Sequence, residues 1–307
     1  MLRVAIYLAY LVYKKAPCIG MGNLTKDMTM IMTKVETWHR KGDRLKAIER
    51  AIEQTVPTES PYIIRLDGCS FHTFTRGMTR PFDMRLVSSM EETTKDLVLK
   101  VGATTGFTQS DEISLLFPAC DILAGQTHLY NGRVQKLCSI VASYATLCFN
   151  KHLASHNWEA SDGSQDLKGK VSTGAFFDAR LMIVDRDQAA DCFAWRQVFD
   201  CQRNAVMAVA QSHFSAKQLH KVNRERAVQM LSEIGVDVSD HSIYPAKCMY
   251  GCFVKRIKIQ KTAFDPRKGE EVPCLRTEAF SFSQKDAMEA EDLFAKYGSI
   301  PACLITQ

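Results

Sequence analysis

The chain has 307 residues, of which 46% are hydrophobic, and it carries 39 basic against 34 acidic side chains, a formal charge of +5. This length can bury a sizeable core as one large domain or two small ones. The charge is too mild to establish a nucleic-acid partner, although it is compatible with one. Eleven scattered cysteines exclude a regular disulfide framework and indicate free thiols in a reducing compartment.

The amino terminus has the composition of a targeting segment. Its first 26 residues contain four basic residues and no acid, and the stretch from Val4 to Tyr13 is wholly apolar. That stretch is too short to span a bilayer, and a secretory signal is the competing pattern. Because the cysteine content argues against secretion, we expect residues 1–33 to direct the chain to mitochondria, with a cytoplasmic location as the alternative.

The first predicted strand lies in ESPYIIRL, a dense apolar run that Pro61 opens. The stretch DGCSFHTFTRGMTRPFD follows and is mostly loop, because it holds two glycines and a proline. Asp83 is placed to cap the next helix through the free amides of its first turn. Apolar residues then recur at helical spacing from Leu86 to Val101, and Gly102 is a suitable end.

A second strand, ISLLFPA, begins directly after Asp111 and Glu112. If Asp67 ends the first strand and Asp111 precedes the next, antiparallel pairing brings the two carboxylates side by side at one edge. A carboxylate in that position is costly to bury unless a cation compensates it. The pattern therefore predicts a ligand at this edge.

The rest of the chain alternates helices and strands. A helix is predicted from Arg133 to Leu153, a long polar loop from residue 154 to 174, and a strand in AFFDARLMIV. Helical patterns return in residues 191–215 and 215–235, and CMYGCFVKRIKIQK is predicted as a strand with a basic outer face. This order favours an α+β domain with a mostly antiparallel sheet flanked by helices.

Two carboxylates on neighbouring strands, with backbone oxygens of the Gly68 turn, form a hard-oxygen site suited to Mg²⁺. Two such ions would activate an attacking hydroxyl and neutralise a leaving pyrophosphate. The amides through Phe71 and His72 are placed to form an anion-binding nest. The plain alternative is that the Asp-Gly pair is an ordinary turn and that SDE has no role in a site.

Four segments, RLDGCSFHTFTRGMTRPFD, TQSDEISLLF, FFDARLMIV and WRQVFDCQRNAV, together resemble the tRNA-histidine guanylyltransferase family and its guanylyltransferase-like 3′-5′ polymerase branch. The resemblance runs in order from about Pro61 to Gln211 and more loosely towards Thr277. It implies that residues 34–307 form a catalytic domain similar to the palm of polymerases, with RNA-contacting elements towards the C-terminus.

The resemblance also implies roles for single residues. It implies two Mg²⁺ ions held by Asp67, Asp111 and the carbonyl of Gly68, and catalytic roles for Asp67, Asp111 and Glu112. The residues that it implies for nucleotide binding are Asp67, Gly68, Cys69, Ser70, Phe71, His72, Arg80, Asp83, Ser110 and Asp111. The residues that it implies for contacts with RNA or triphosphate are Arg133, Lys136, Arg196 and Asn204.

The implied reaction has three steps: activation of a 5′-monophosphorylated RNA with ATP, attack by the 3′-hydroxyl of GTP or another nucleoside triphosphate, and removal of pyrophosphate.

Members that add guanosine to tRNA-histidine carry H-I-N-N-L-Y-N after W-R-Q, whereas this chain has CQRNAVM. Templated repair of tRNA 5′ ends is therefore preferred, with guanosine addition to tRNA-histidine as the alternative. A palm-type nucleotidyl cyclase and a noncatalytic RNA-binding protein are further alternatives. The resemblance also implies a homotetramer, and no membrane partner is expected.

Three features keep two interpretations each. Arg196 is either an RNA contact or the solvated neighbour of a core Trp195. The basic residues of one run either follow a phosphate backbone or form a solvated strand face; they are Lys255, Arg256, Lys258, Lys261, Arg267 and Lys268. Cys248 and Cys252 are either ligands of a structural zinc or small core residues; the second interpretation is preferred, and no metal is assigned to them.

Overall fold

The computed structural model describes residues 21–159 and 167–298. The chain divides into two compact units, Met1–Gln54 and Thr55–Gln307. In the first unit, helix α1 spans Met21–Arg50. Residues 1–20 of the predicted targeting segment lie outside the described residues. Among the residues that are described, no helix offers an apolar stretch long enough to cross a bilayer.

In its described residues, the second unit is built on one sheet of six strands in the order β4-β1-β3-β2-β5-β6, and all the strand pairs are antiparallel. The strands are β1 Tyr62–Gly68, β2 Thr105–Gln109, β3 Glu112–Phe117, β4 Phe177–Ile183, β5 Cys252–Asp265 and β6 Glu270–Phe282. The predicted α+β class is confirmed. Strands β2 and β6 were not predicted, because TGFTQ is short and poor in apolar residues and β6 contains Pro273.

Helices cover the sheet and connect its strands. In the described part of this unit they are α2 Phe71–Phe74, α3 Met84–Val101, α4 Val134–Ala154, α5 Lys168–Ser172, α6 Arg186–Ala194, α7 Gln202–His213, α8 Arg224–Glu233, α9 Ala246–Met249 and α10 Ala290–Phe294. A π-helix, Trp195–Cys201, joins α6 to α7. The cap predicted for α3 is confirmed, because the Asp83 side chain accepts a hydrogen bond from the Arg85 amide, and Gly102 ends this helix at φ 72°.

Two predictions for the helices need correction. The segment predicted as a loop from residue 154 to 174 contains α5. The helix predicted over residues 215–235 forms only from Arg224, because Asn223 caps the new helix by accepting a hydrogen bond from the Arg226 amide. The side chains that give the preceding residues a helical pattern therefore lie in turns.

The sheet buries apolar side chains on both faces, because successive residues of a strand point to opposite sides. Ile64 and Leu66 belong to the core cluster that includes residues of α3 and α4. Ile63, which points the other way, belongs to a second cluster with Phe193 of α6 and Phe253 of β5. This double burial fixes the register of β1 and therefore the position of the acids at its end.

Candidate active site

The strand register brings the acidic residues together at one edge of the sheet. Asp67 lies opposite Glu112 on β3 and opposite Asp178 on β4. The Gly68 amide donates a hydrogen bond of 3.1 Å to the carbonyl oxygen of Asp111, which fixes the turn before β3. The predicted antiparallel pairing is thus confirmed. We call Asp67, Asp111, Glu112 and Asp178 the acidic edge.

Asp111 has little compensation for its charge. Burial raises the pKa of its carboxyl group, and the negative charge of Asp67 raises it further. The Ser110 hydroxyl opposes these effects by donating a hydrogen bond of 3.0 Å to Oδ1 of Asp111. A cation bound at this edge would relieve the charge that burial penalises.

Glu112 is half-buried, and the protein supplies cations to it. Burial holds the pKa of its carboxyl group above the ordinary value, although Arg196 and Arg65 act in the opposite direction. The Arg196 guanidinium lies 2.8 Å from Oε2 of Glu112, and that of Arg65 lies 3.8 Å from Oε1. Gln109 donates a further hydrogen bond of 3.1 Å to Oε2. These contacts fix the orientation of the Glu112 carboxylate beside Asp67 and Asp111.

Arg180 lies between the other two acids of the edge. Its guanidinium is 3.7 Å from Oδ2 of Asp67 and 3.4 Å from Oδ2 of Asp178, and its side chain is 58% exposed. Oδ1 of Asp178 is buried and has no hydrogen-bond partner among the described residues. These distances are loose for ion pairs, so the carboxylates on this side keep oxygen atoms that a ligand can use.

Packing explains why a glycine follows Asp67 at the end of β1. A Cβ atom on Gly68 would lie 2.3 Å from the ring of Phe71, so a larger residue would displace that ring. Phe71 and Phe74 are buried, and their rings pack together with a centroid distance of 5.5 Å. Glycine at position 68 thus keeps α2 close to the acidic edge.

Backbone amides follow the Gly68 turn. Ser70 has φ 57° and precedes α2 without a side-chain hydrogen bond that caps the helix. The Cys69 amide donates to the carbonyl of Phe176 at 2.8 Å and is not available to a ligand. The Thr73 and Phe74 amides donate to the Ser70 carbonyl, which leaves the amides of Phe71 and His72 at the start of α2 for an anion. The nest predicted from the sequence is thus reduced to the residues after Cys69.

A cavity of about 450 Å³ opens beside Asp111. This volume lies within the usual range of small-molecule sites. Its apolar lining includes Met78, Phe82 and Met90. Residues from the predicted site that also line it are Phe71, His72, Arg80, Asp83, Ser110, Asp111 and Asn204. The chain therefore brings half of the predicted nucleotide-binding and RNA-contacting residues to one cavity.

Asp83 in this cavity already has partners. Burial tends to raise the pKa of its carboxyl group, but the hydrogen bond from Arg85 and the Thr79 amide hold that pKa below its usual value. Oδ2 accepts a hydrogen bond of 2.7 Å from Arg85 and one of 3.1 Å from the Thr79 amide. Its structural role as a helix cap is shown, and its predicted contact with a nucleotide stays a prediction.

Two predicted residues lie at the other end of β1. Arg133 pairs with Thr55, and the preceding Gly132 accepts a hydrogen bond from the Val56 amide, close to the first residues of β1. Lys136 lies over the ring of Tyr130, 5.2 Å from its centroid. Within one chain, therefore, the fold does not bring Arg133 and Lys136 to the acidic edge. Their contact with triphosphate or RNA stays a prediction.

Two interpretations from the sequence were wrong. Trp195 is 49% exposed and is not a core residue. Lys255 is 3% exposed and donates hydrogen bonds inside the protein, so it does not belong to a surface that follows phosphates. Arg196, the neighbour of Trp195, is 13% exposed and pairs with Glu112 rather than with solvent.

Sequence reasoning missed Asp178 and Asp200. Asp200 is buried and accepts hydrogen bonds from Arg196 at 3.0 Å and from Arg203 at 2.6 Å. Both aspartates lie inside motifs that the sequence analysis quoted, FFDARLMIV and WRQVFDCQRNAV. An acid among apolar residues was the available signal, because such a carboxylate needs a partner inside the fold.

The donor atoms of the acidic edge fit Mg²⁺. Carboxylates of Asp67 and Asp111 and the carbonyl of Gly68 are hard oxygen ligands, and Asp178 adds a buried oxygen without a partner among the described residues. Within residues 21–159 and 167–298, no group of three or more His, Cys, Asp or Glu side chains is arranged to hold a metal. Mg²⁺ commonly uses one or two carboxylates and takes its other ligands from water and substrate phosphates.

The sequence of this chain matches known proteins. A family model described as tRNAHis guanylyltransferase matches residues 42–185. An uncharacterized protein of Acanthamoeba polyphaga mimivirus is 38% identical over 202 residues, which cover 62% of this chain and 69% of that protein. A probable tRNA(His) guanylyltransferase of Dictyostelium discoideum is 28% identical over 139 residues, which cover 44% of this chain and 48% of that protein.

Solved structures share the fold. A bacterial tRNA(His) guanylyltransferase-like protein in complex with ATP is 32% identical, with a TM-score of 0.60 over 70% of this chain and 87% of that chain. A similar bacterial protein in complex with GTP is 27% identical, with a TM-score of 0.57 over 79% and 90% of the two chains. The tRNA(His) guanylyltransferase of Saccharomyces cerevisiae, 20% identical, has the same fold with a TM-score of 0.54 over 66% and 88% of the two chains.

Proposed function

This chain belongs to the tRNAHis guanylyltransferase family, and from that premise we propose that it adds nucleotides to tRNA 5′ ends in the 3′ to 5′ direction under the control of a template. It is a nucleotidyltransferase of the guanylyltransferase type. The observation that carries the proposal is the acidic edge, where Asp67 and Asp111 lack full compensation beside a cavity of about 450 Å³.

The residues in and around the acidic edge have different proposed roles. Asp67, Asp111 and the Gly68 carbonyl would hold two Mg²⁺ ions, which when bound would favour ionisation of the attacking hydroxyl and neutralise the leaving pyrophosphate. Ser110 holds Asp111 through its hydroxyl, and Arg196 holds Glu112. The first amides of α2 are available for the triphosphate, and the cavity takes the nucleoside.

The proposed reaction runs in three steps. A 5′-phosphate oxygen of the RNA attacks the α-phosphorus of ATP, a new P–O bond forms, and pyrophosphate leaves. The 3′-hydroxyl of the incoming nucleoside triphosphate then attacks the activated 5′ phosphorus, loses its proton, and displaces AMP. Hydrolysis of the new triphosphate end releases pyrophosphate and leaves a 5′-monophosphate. ATP, GTP and the other nucleoside triphosphates are therefore substrates.

The segment CQRNAVM supports templated repair over a fixed addition of guanosine. It replaces most of the motif expected in members that mature tRNA-histidine, and it keeps Asn204. Asn204 lines the cavity and donates a hydrogen bond of 3.4 Å to Asp200. The description of the matching family keeps guanosine addition to tRNA-histidine as the second candidate.

The test is a template exchange. Purified protein is incubated with Mg²⁺, ATP and all four nucleoside triphosphates. The RNAs are full-length tRNA-histidine and four 5′-monophosphorylated tRNAs that lack their first nucleotide and differ only in the opposing nucleotide. We expect the added nucleotide to change with the opposing one. Addition of guanosine to full-length tRNA-histidine alone would establish the second candidate, and no extension of any RNA would reject both.

Location and assembly are also proposals. We propose that residues 1–33 direct the chain to mitochondria, and a fluorescent protein fused after them should then enter the organelle. A cytoplasmic signal would reject this.

We also propose a homotetramer, which light scattering of the purified full-length chain should report as four times the monomer mass of 34.6 kDa.

A further inference from the structure

The π-helix and the start of α7 present two neighbouring rows of side chains. The inner row is Arg196, Asp200 and Asn204, at a spacing of four residues. Arg196 donates to Glu112 at 2.8 Å and to Asp200 at 3.0 Å, while Asn204 lines the cavity. This row therefore faces the acidic edge.

The outer row is Trp195, Phe199 and Arg203, one residue earlier at each step. Trp195 is 49% exposed, Phe199 52% and the Arg203 side chain 44%. The two rings stack with a centroid distance of 5.9 Å and an interplanar angle of 28°. Burial of aromatic rings is strongly favourable, and π-helical turns are frequent at functional sites. Two stacked rings left half in solvent on such a turn indicate a ligand.

Two arginines join the outer row to the carboxylates of Glu112 and Asp200. The Arg196 guanidinium lies 4.9 Å from the centre of the Trp195 ring while it pairs with Glu112. The Arg203 guanidinium lies 5.5 Å from the centre of the Phe199 ring and 2.6 Å from Oδ1 of Asp200. Each ring is thus in contact with an arginine that pairs with one of these two carboxylates.

We propose that the outer row is a stacking platform for a nucleobase at the 5′ end of the RNA substrate. This inference rests on the proposed function. An RNA whose 5′ phosphorus reaches the acidic edge has its first base near that edge, and the Trp195 ring lies beside Arg196, which pairs with Glu112 there. Every base has a π-face, so stacking on aromatic rings accepts any base, as the repair of different 5′ ends requires.

The electrostatics of the outer row also fit RNA. Arg203 presents a half-exposed cation next to Phe199, and aromatic rings beside an arginine bind successive bases and the phosphates between them. Val198, 39% exposed, adds apolar surface on the same turn. The alternative occupant is a second copy of this chain, and the experiment below separates the two.

The test uses Trp195→Ala, Phe199→Ala, the double variant, and the conservative Trp195→Phe. The matched control is Ile243→Ala, which removes an exposed apolar side chain (64%) in the segment between α8 and α9. Fluorescence anisotropy with a labelled 5′-monophosphorylated tRNA that lacks its first nucleotide gives the RNA Kd, and titration with ATP gives the nucleotide Kd. We expect each alanine to weaken RNA binding about tenfold. We expect Trp195→Phe and Ile243→Ala to bind RNA like the wild type, and all variants to keep the ATP Kd.

The outcomes separate this inference from the proposed function. If the wild type extends the tRNA and the alanine variants bind and extend it equally well, the platform is rejected and the function stands. If the wild type binds but never extends the tRNA, while the variants lose affinity, the function is rejected and the platform stands. A fall in mass by light scattering with an unchanged RNA Kd would assign the outer row to a second copy and overturn the platform. Circular dichroism checks folding, and the single variants decide if the double variant does not fold.

Discussion

Two regions of this protein bury charged groups, and they differ in the hydrogen-bond partners that the protein supplies to these groups. At the first, Lys255 is 3% exposed and its ammonium group donates to Thr105 Oγ1 at 2.8 Å and to the carbonyls of Asp292 and Ala295 at 2.6 and 2.7 Å. Burial lowers the pKa of this lysine to about 8. These contacts join β5 and β2 to the last turn of α10, where carbonyl groups have no partners within the helix. The protein itself thus supplies hydrogen-bond acceptors to this ammonium group, although burial still disfavours its charge.

The acidic edge lacks this match. Asp111 receives one hydroxyl hydrogen bond, burial and the Asp67 charge raise its pKa, and Oδ1 of the nearby Asp178 has no partner among the described residues. Glu112 is intermediate, because Arg196 and Arg65 compensate it. The buried group with a structural role thus has hydrogen-bond partners inside the fold, whereas carboxylates of the site have oxygen atoms without such partners among the described residues.

The largest expected effect is on the structural charge. Lys255→Met should lower the free energy of unfolding by about 2–4 kcal/mol, because the carbonyls at the end of α10 lose their donor. Urea denaturation measures the loss. The RNA extension rate per folded molecule should stay within a few-fold of the wild type, because Lys255 does not touch the acidic edge. An unchanged free energy of unfolding would show that the contacts of Lys255 do not stabilise the fold.

The next effect is a pH dependence of the same site. The pKa of Lys255 is about 8 in the folded chain against an ordinary 10.5, so between these values the unfolded chain binds more protons. The free energy of unfolding of the wild type, relative to Lys255→Met, should therefore rise with pH in this window, by about 1 kcal/mol per pH unit. Urea denaturation of both proteins at pH 8, 9 and 10 measures it. Parallel pH curves would contradict the expectation.

The smallest expected effect is on the stability of the acidic edge. Asp111→Asn should leave the free energy of unfolding at pH 7 within about 1 kcal/mol of the wild type, on the stabilising side. The reason is that the folded chain raises the pKa of Asp111, so ionisation at neutral pH opposes folding, and an amide removes that cost. Below the ordinary pKa of aspartate the difference should vanish.

Glu112→Gln is the matched control for this comparison. It leaves the half-buried guanidinium groups of Arg196 and Arg65 without a charged partner, so we expect it to destabilise the fold where Asp111→Asn does not. Urea denaturation at pH 7 compares the two variants. If they lose equal stability, the contrast between compensated and uncompensated acids is wrong.

The sequence predicted the acidic edge because its signal is local. Apolar runs that end at Asp67 and begin after Asp111 predict two buried strands, and the helix between them leaves antiparallel pairing as the simple solution. The Asp83 cap and the Gly102 end follow from backbone chemistry that acts within a few residues, and the structure has both.

The compensation of charge was not predictable in the same way. Arg196 and Glu112 are separated by 84 residues, and Lys255 and Asp292 by 37, so only the fold brings them together. The basic pattern around Lys255 therefore suggested a surface, and the apolar character of Trp195 suggested the core. Exposure depends on which face of a helix meets the sheet, and the shift of register in the π-helix changes that face.

The most direct test of the account is a comparison of RNA extension by the wild type and Asp111→Asn on the same truncated, 5′-monophosphorylated tRNA with Mg²⁺, ATP and all four nucleoside triphosphates. We predict that the wild type adds the nucleotide complementary to the template and that the variant, which folds at least as stably, adds none. Extension by the variant at the wild-type rate would contradict the assignment of the acidic edge as the catalytic site.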